Sequence, residues 1–365
     1  MMPSMPLARV QLRAAPSLKT NRSSWPGKSL HGAILASLLI LAGAGQGDCA
    51  EEGVPELKTA IERALKRIEN GAANYTKHRQ CFSCHHQAIT IEAMTAARRL
   101  GIAIDEAKLD HQVKFTLDSF SSRRELLKKG EGVGGASTTV AYGLLALKTG
   151  GHESDDTTAA MIDYLLQLQR ADGSWKPSAN RPPTEGSAFT TTSQALRALK
   201  ATESSMSEEQ RGRYQNVLEK GRAWLQNNEP EHTEDRVFQL LGLLAVGAAP
   251  DVLVRARDAL LKEQQDDGGW RQIPNLASDA YATGTVLSAL HAAGLPATDP
   301  AYQRGVQYLL RTQNEDGSWL VKTRSRPIQT FFDNGDPGGK SQFISFAATS
   351  WALVALLPAV NTQPR

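Results

Sequence analysis

The residues best suited to chemistry in this chain form one short run, Cys81-Phe82-Ser83-Cys84-His85-His86. Two of the chain's three cysteines stand here, three positions apart, and a histidine directly follows the second. That order matches the C-x-x-C-H signature of covalent haem attachment. One turn of chain holds both sulfurs on the same side, where each can form a thioether, and the next residue reaches the iron. The expected cofactor is haem c, bound through Cys81 and Cys84, with His85 as the metal ligand. Met94 is only nine residues past His85, too near to reach the opposite face of the same haem. Met161, Met206, His111 or His291 would have to be brought in by the fold. A five-coordinate iron with one open face suits this arrangement.

The same residues admit other chemistry. Cys81, Cys84, one of His85 and His86, and an acid make a zinc donor set. The cysteine pair alone makes a redox-active or structural disulfide. His85 and His86 would also serve as an acid–base pair, with the cysteines bracing the turn.

The chain around the motif is globular in composition, at 41% hydrophobic and 22% charged residues with a net charge of +3. Much of the basic excess, Arg9, Arg13, Lys19, Arg22 and Lys28, precedes residue 29. The remainder is near neutral, so a nucleic-acid partner is not expected. The basic leader is followed by an apolar run, residues 33–44, and by Ala42-Gly43-Ala44 as a small-residue cleavage site. Residues 1–50 therefore read as a signal peptide and leader, which places the mature protein outside the cytoplasm, periplasmic or secreted. Cys49 lacks the context of a lipoprotein cysteine. A bacterial periplasm is where haem is joined to cysteine pairs, and it is also oxidising enough for a disulfide.

Residues 51–365 read as a single domain with an internal period of about fifty residues. Three segments repeat one phrase: YLLQLQRADGSW (164–175), ALLKEQQDDGGW (259–270) and YLLRTQNEDGSW (308–319). RAWLQNNEPEH (222–232) is a worn copy. Each phrase ends an amphipathic helix, which Asp-Gly then breaks. After each comes a helix of Ala, Thr, Ser, Gly and Leu with few charges, which must be buried on nearly all sides. Outer and inner helices pair over 56–100, 106–149, 155–201, 208–247, 251–293 and 300–357, the second outer helix covering 106–126. Six pairs predict an all-α, closed α/α toroid. The cysteine motif opens the first inner helix.

The phrases QRADGSW, QQDDGGW and QNEDGSW resemble the Gln–Trp repeats of squalene–hopene cyclases and their relatives, a superfamily that includes the beta subunits of protein prenyltransferases. The resemblance covers most of residues 54–358. It implies a toroid whose central cavity takes an isoprenoid-type ligand. Neither family's catalytic set carries over. The nearest string to the cyclase Asp-x-Asp-Asp acid is Glu153-Ser154-Asp155-Asp156, which opens an outer helix and reads as a helix cap. No cysteine follows Cys84, so the prenyltransferase zinc ligands are missing.

Aligned at their N-termini, the inner helices place His85 and His86 level with Glu234, Asp235 and Asp279. These residues are the candidate reacting groups at one mouth of the toroid; the three acids also suit helix capping. The connection between Trp319 and Phe346 is long enough to cover a mouth, and it holds Phe331, Phe332, Phe343, Asp333, Asp336 and Lys340. The expected function is an exported toroid that binds a hydrophobic ligand and carries haem c, with a redox partner and a peripheral membrane contact. The alternatives are a non-enzymatic scaffold clamped by zinc or a disulfide, and a minimal terpene cyclase using Asp235 or Asp279 as its acid.

Overall fold

The computed structural model describes residues 56–326, 331–333 and 335–362. The leader and Cys49 lie outside them. Six outer helices alternate with six inner ones. The outer set is α1 (Leu57–His78), α3 (Glu106–Ser121), α6 (Asp156–Gln167), α8 (Glu208–Asn227), α10 (Pro250–Lys262) and α12 (Pro300–Thr312). The inner set is α2 (Ile89–Arg99), α5 (Ala136–Thr149), α7 (Ala188–Ala201), α9 (Thr233–Ala245), α11 (Ala280–Ala292) and α13 (Gln342–Leu356). Each inner helix packs on the next, and α13 returns to α2 and α1, so the ring is closed. The short helix α4 (Arg124–Leu127) bridges α3 and α5. Among the described residues there is no strand, only one isolated bridge between Arg181 and Glu185.

Burial follows the composition. Thirteen of the fifteen residues of α13 are buried, against Leu260 alone in α10. An inner helix is covered by two inner neighbours and an outer layer, so its sequence is apolar all round, whereas an outer helix buries one stripe. That is also why Gly339–Val360 is apolar enough to cross a membrane: it is a core segment, mostly enclosed by its neighbours.

The repeated phrase is a joint between hairpins. The indole N–H of Trp175, Trp270 and Trp319 donates to the carbonyls of Leu165, Leu260 and Leu309, each at 2.8–2.9 Å. The same three backbone N–H groups donate to Thr192, Thr283 and Thr349 on the following inner helix. The amides of Gln169, Gln264 and Gln313 each donate to a carbonyl of the next outer helix, at Val217, Ala301 and Ala60. The phrase thus satisfies polar groups at a helix end and joins three helices. Its glycine has positive φ at Gly173, Gly268 and Gly317. A Cβ there would lie 2.3–2.6 Å from backbone of the neighbouring outer helix, so only glycine fits.

Asp155 caps α6 in a capping box with Thr158, which confirms the cap reading of that string. The second outer helix is shorter than its sequence predicts. It ends at Ser121 rather than continuing to 126, and Arg124–Leu127 forms a separate turn. The hydroxyls of Ser119 and Ser121 donate back to the carbonyls of Phe115 and Asp118. Such bonds compete with helix propagation.

Candidate functional site

The cysteine motif does open the first inner helix, but through a single π turn, Cys84–Ala88, ahead of α2. Wide turns of this kind are frequent where a site is built. Ser83 caps it: its hydroxyl accepts from the His86 backbone N–H at 3.1 Å. Ser83 also lies 2.9 Å from His85 Nδ1. Its own N–H donates to Gln87, whose amide donates to Gln112 on α3. The turn is therefore held from both sides by buried amides.

Cys81, Cys84 and His85 all line one cavity of about 880 Å³. That size lies within the range of about 300–1,000 Å³ usual for ligand and cofactor pockets. Its walls come from the motif, from the start of α5 at Gly134 to Thr139, from Arg181 to Glu185, and from the cover segment at Thr323–Arg326 and Phe331. Phe82, Phe120, Phe343, Ile344 and Ala347 make much of it apolar. Described residues of the long connection after Trp319 thus form part of the cavity wall, and Ser325 Oγ ties it to the Pro182 carbonyl at 2.7 Å.

Cys81 and Cys84 are free thiols. Cys84 is half-buried and lines the cavity; burial, and then the nearby Glu185 carboxylate, push its pKa up to about 12. A thiol held protonated is a poor nucleophile for disulfide exchange. Burial, with Arg181 adding to it, pulls His85 down to about 3, so its ring is neutral and able to ligate through a ring nitrogen. The ring stacks on Phe343 with centroids 4.9 Å apart.

His86 has a different place. It is fully buried and does not line the cavity. Its ring lies between Tyr75, at 4.6 Å, and Phe346, at 3.9 Å. Its Nδ1 meets His85 Nδ1, and its Nε2 is 3.9 Å from Asp336 Oδ2. Asp336 in turn accepts from Arg67 Nε at 2.8 Å. Burial raises Asp336 to about 7. The sandwich depends on Gly71, where a Cβ would come 2.3 Å from Phe346.

The three candidate acids separate. Asp235 accepts from the backbone N–H groups of Glu231 and His232, and Asp279 from that of Ala282, so both cap inner helices. Glu234 instead turns inward, accepting from Tyr281 Oη at 3.1 Å. Burial raises its pKa to about 8, so it is protonated at neutral pH. None of the three lines the cavity, and nor do Met94, Met161, Met206, His111 or His291. Of the aligned ring of histidines and acids, only His85 faces it.

Gly71, Tyr75, Ser83 and Phe346 were not among the residues expected at the site. A glycine inside an outer helix, where it costs stability, was the available signal for a close approach. The only sequence signal at the Arg181–Glu185 wall was Pro182-Pro183 in the connection between Trp175 and α7. Among the described residues no three His, Cys, Asp or Glu side chains converge as metal ligands. Cys81, Cys84 and His85, the two sulfurs and one nitrogen that haem c would use, line one cavity. The residues present fit that group.

Comparison with known proteins supports the superfamily. Residues 223–365 match the family model of the squalene–hopene cyclase C-terminal domain. The chain is 33% identical over 125 residues to squalene–hopene cyclase of Zymomonas mobilis, covering 33% of this chain and 18% of that protein. It is 40% identical over 65 residues to copalyl diphosphate synthase of Streptomyces cyslabdanicus, 18% of this chain and 12% of that one. The chain thus spans less than a fifth of the length of these relatives. Type II terpene cyclase MstE from Scytonema superposes with a TM-score of 0.53 at 14% identity, over 85% of this chain and all of that one. For ent-copalyl diphosphate synthase from Streptomyces platensis the TM-score is 0.50 at 20% identity, over 75% and 50% of the two chains. The fold is the α/α toroid of terpene cyclases, with squalene–hopene cyclase-type sequence in its last hairpins.

Proposed function

We propose that this protein is an exported, isoprenoid-type ligand-binding toroid that carries haem c on Cys81 and Cys84, with His85 as the iron ligand. The observation that carries the reading is the shared cavity: all three motif residues face one apolar space at the end of the ring. When bound, the haem supplies one-electron redox chemistry, for electron transfer or oxidation of a bound lipid, with a redox partner outside the chain. Ser83 orients the His85 ring, and Phe343 fixes its plane. The phenylalanines exclude water and favour an apolar ligand. Leu320 and Phe331 are 59% and 57% exposed, and Phe331 belongs to the cavity rim. That supports a peripheral membrane contact through which such a ligand enters.

The test is direct. The full chain is produced with a haem-maturation system, and its visible spectrum is recorded in alkaline pyridine after denaturation. A covalent haem band is expected. A colourless protein overturns the haem assignment, and metal analysis of that protein then tests zinc.

A further inference from the structure

Behind His85, the next residue sits in a place assembled from distant parts of the chain. The His86 ring is stacked between Tyr75 on α1, with centroids 4.6 Å and planes 25° apart, and Phe346 on α13, at 3.9 Å and 12°. Both faces are covered by other rings, so polar contact is confined to the edges. On one edge, Nδ1 meets Nδ1 of His85, the two rings standing at 74° to each other. On the other, Nε2 faces Asp336 Oδ2 at 3.9 Å. Asp336 comes from the connection after Trp319, and its Oδ1 accepts from Arg67 Nε on α1 at 2.8 Å. Arg67 also lies 3.6 Å from Asp316 in the last phrase. A residue needed only to fill the space between two rings would be phenylalanine, which has no nitrogens to desolvate.

The order of the partners sets where the protons are. A contact between two ring nitrogens needs one proton and one lone pair. Nε2 of His86 faces a carboxylate, so it carries the proton of the neutral ring and leaves the lone pair on Nδ1. Nδ1 of His85 must then carry a proton and donate it. Ser83 Oγ lies 2.9 Å from the same nitrogen, but a hydroxyl oxygen is a weaker acceptor than an unprotonated imidazole nitrogen. Both hydrogen-bond contacts of His85 among the described residues use Nδ1, which leaves Nε2 as the ligating atom. A histidine bound to a metal commonly donates its other N–H to an acceptor behind it, which fixes the ring and makes the ligand more basic.

We infer that His86 is the positioning residue for the His85 ligand: it accepts the Nδ1 proton, turns Nε2 toward the metal and relays the negative field of Asp336. This rests on the haem reading above and adds what tunes that haem. A more basic ligand favours the oxidised, more positive iron, so the arrangement lowers the reduction potential.

Two measurements on the full chain test this. Ring-nitrogen NMR of the protein without haem, in mildly alkaline solution above the raised Asp336 pKa of about 7, reads the tautomers. A proton on Nδ1 of His85 and on Nε2 of His86 is expected, and the opposite pattern overturns the inference. The second is a spectroelectrochemical titration of the haem-loaded protein. His86→Phe keeps an aromatic ring between Tyr75 and Phe346 and removes both nitrogens. It is expected to retain covalent haem and to shift the one-electron equilibrium about tenfold toward the reduced form, a rise of about 59 mV. Asp336→Asn leaves both histidines in place and should shift it the same way by less. Covalent haem with an unchanged potential in His86→Phe shows that the ring only packs; it overturns the inference and leaves the haem reading standing. A colourless wild type overturns both together. Should a variant not fold, the wild-type tautomers decide alone.

Discussion

The side-chain amide of Gln313 donates to the carbonyl of Ala60, 253 residues earlier in the chain, at 2.9 Å. The same bond at Gln169 and Gln264 joins consecutive hairpins; at Gln313 it joins the last to the first. Ring closure therefore uses the same joint as ring propagation. Gln313→Ala leaves a part-buried carbonyl without its donor and should cost about 1–3 kcal/mol. Gln169→Ala should cost a similar amount, because closure has no special chemistry. Urea unfolding midpoints of the two variants check this.

Gly317 combines positive φ with a Cβ direction that ends 2.5 Å from the Arg63 backbone. Gly101 has positive φ and open space around it. Gly101→Ala should therefore cost only the conformational share, about 1–2 kcal/mol, and Gly317→Ala distinctly more. If thermal denaturation gives equal losses, the close approach of the phrase to α1 is not what fixes that glycine.

Glu234 makes stability depend on pH in a defined direction. Its folded pKa is raised to about 8 from 4.5 by burial. Between these values the unfolded chain has lost the proton and the folded chain retains it, so stability falls as pH rises through this window. Relative to Glu234→Gln, the wild-type protein should lose stability steadily from pH 5 to about 8 and then level off. Denaturant titrations of both proteins across that range measure the difference. A constant offset would show that Glu234 ionises as readily folded as unfolded.

The motif residues should separate in spectroscopy. Cys81→Ser combined with Cys84→Ser is expected to abolish the covalent pigment. His85→Ala is expected to retain covalent haem in pyridine but to shift the native Soret band, since the sulfurs hold the ring and the nitrogen holds the iron. A native band unchanged in His85→Ala would assign the iron ligand to another residue.

Arg67 is the partner of buried Asp336, which stands against His86. Arg67→Ala removes the compensation for a buried carboxyl, and losses of about 3–5 kcal/mol are usual for such a pair. The segment around Phe332 and Asp336 should then become sensitive to limited proteolysis before the rest of the ring does. Uniform cleavage throughout would show that Arg67 supports the whole fold and not this cover.

Much of this protein was settled by local pattern. The apolar all-round helices, the Gln–Asp-Gly–Trp phrases and the six outer–inner pairs were legible because a buried helix and a helix end impose composition over consecutive residues. The position of Cys81, Cys84 and His85 at the start of the first inner helix was equally legible. The end of α3 was missed because serine back-bonding acts within one turn, beneath the apolar period.

What the tertiary structure decided is which of several neighbouring polar residues face the same space. His85 and His86 are adjacent and alike in sequence, yet one lines the cavity and the other is enclosed between Tyr75 and Phe346. Glu234 and Asp235 are adjacent too, yet one turns into the ring and the other caps its helix. In α9 a single residue step rotates a side chain by about 100°, at 3.6 residues per turn, and the wider π turn at the motif likewise sends neighbouring side chains in different directions. The environment each then meets is supplied by helices tens to hundreds of residues away, and only their packing fixes it.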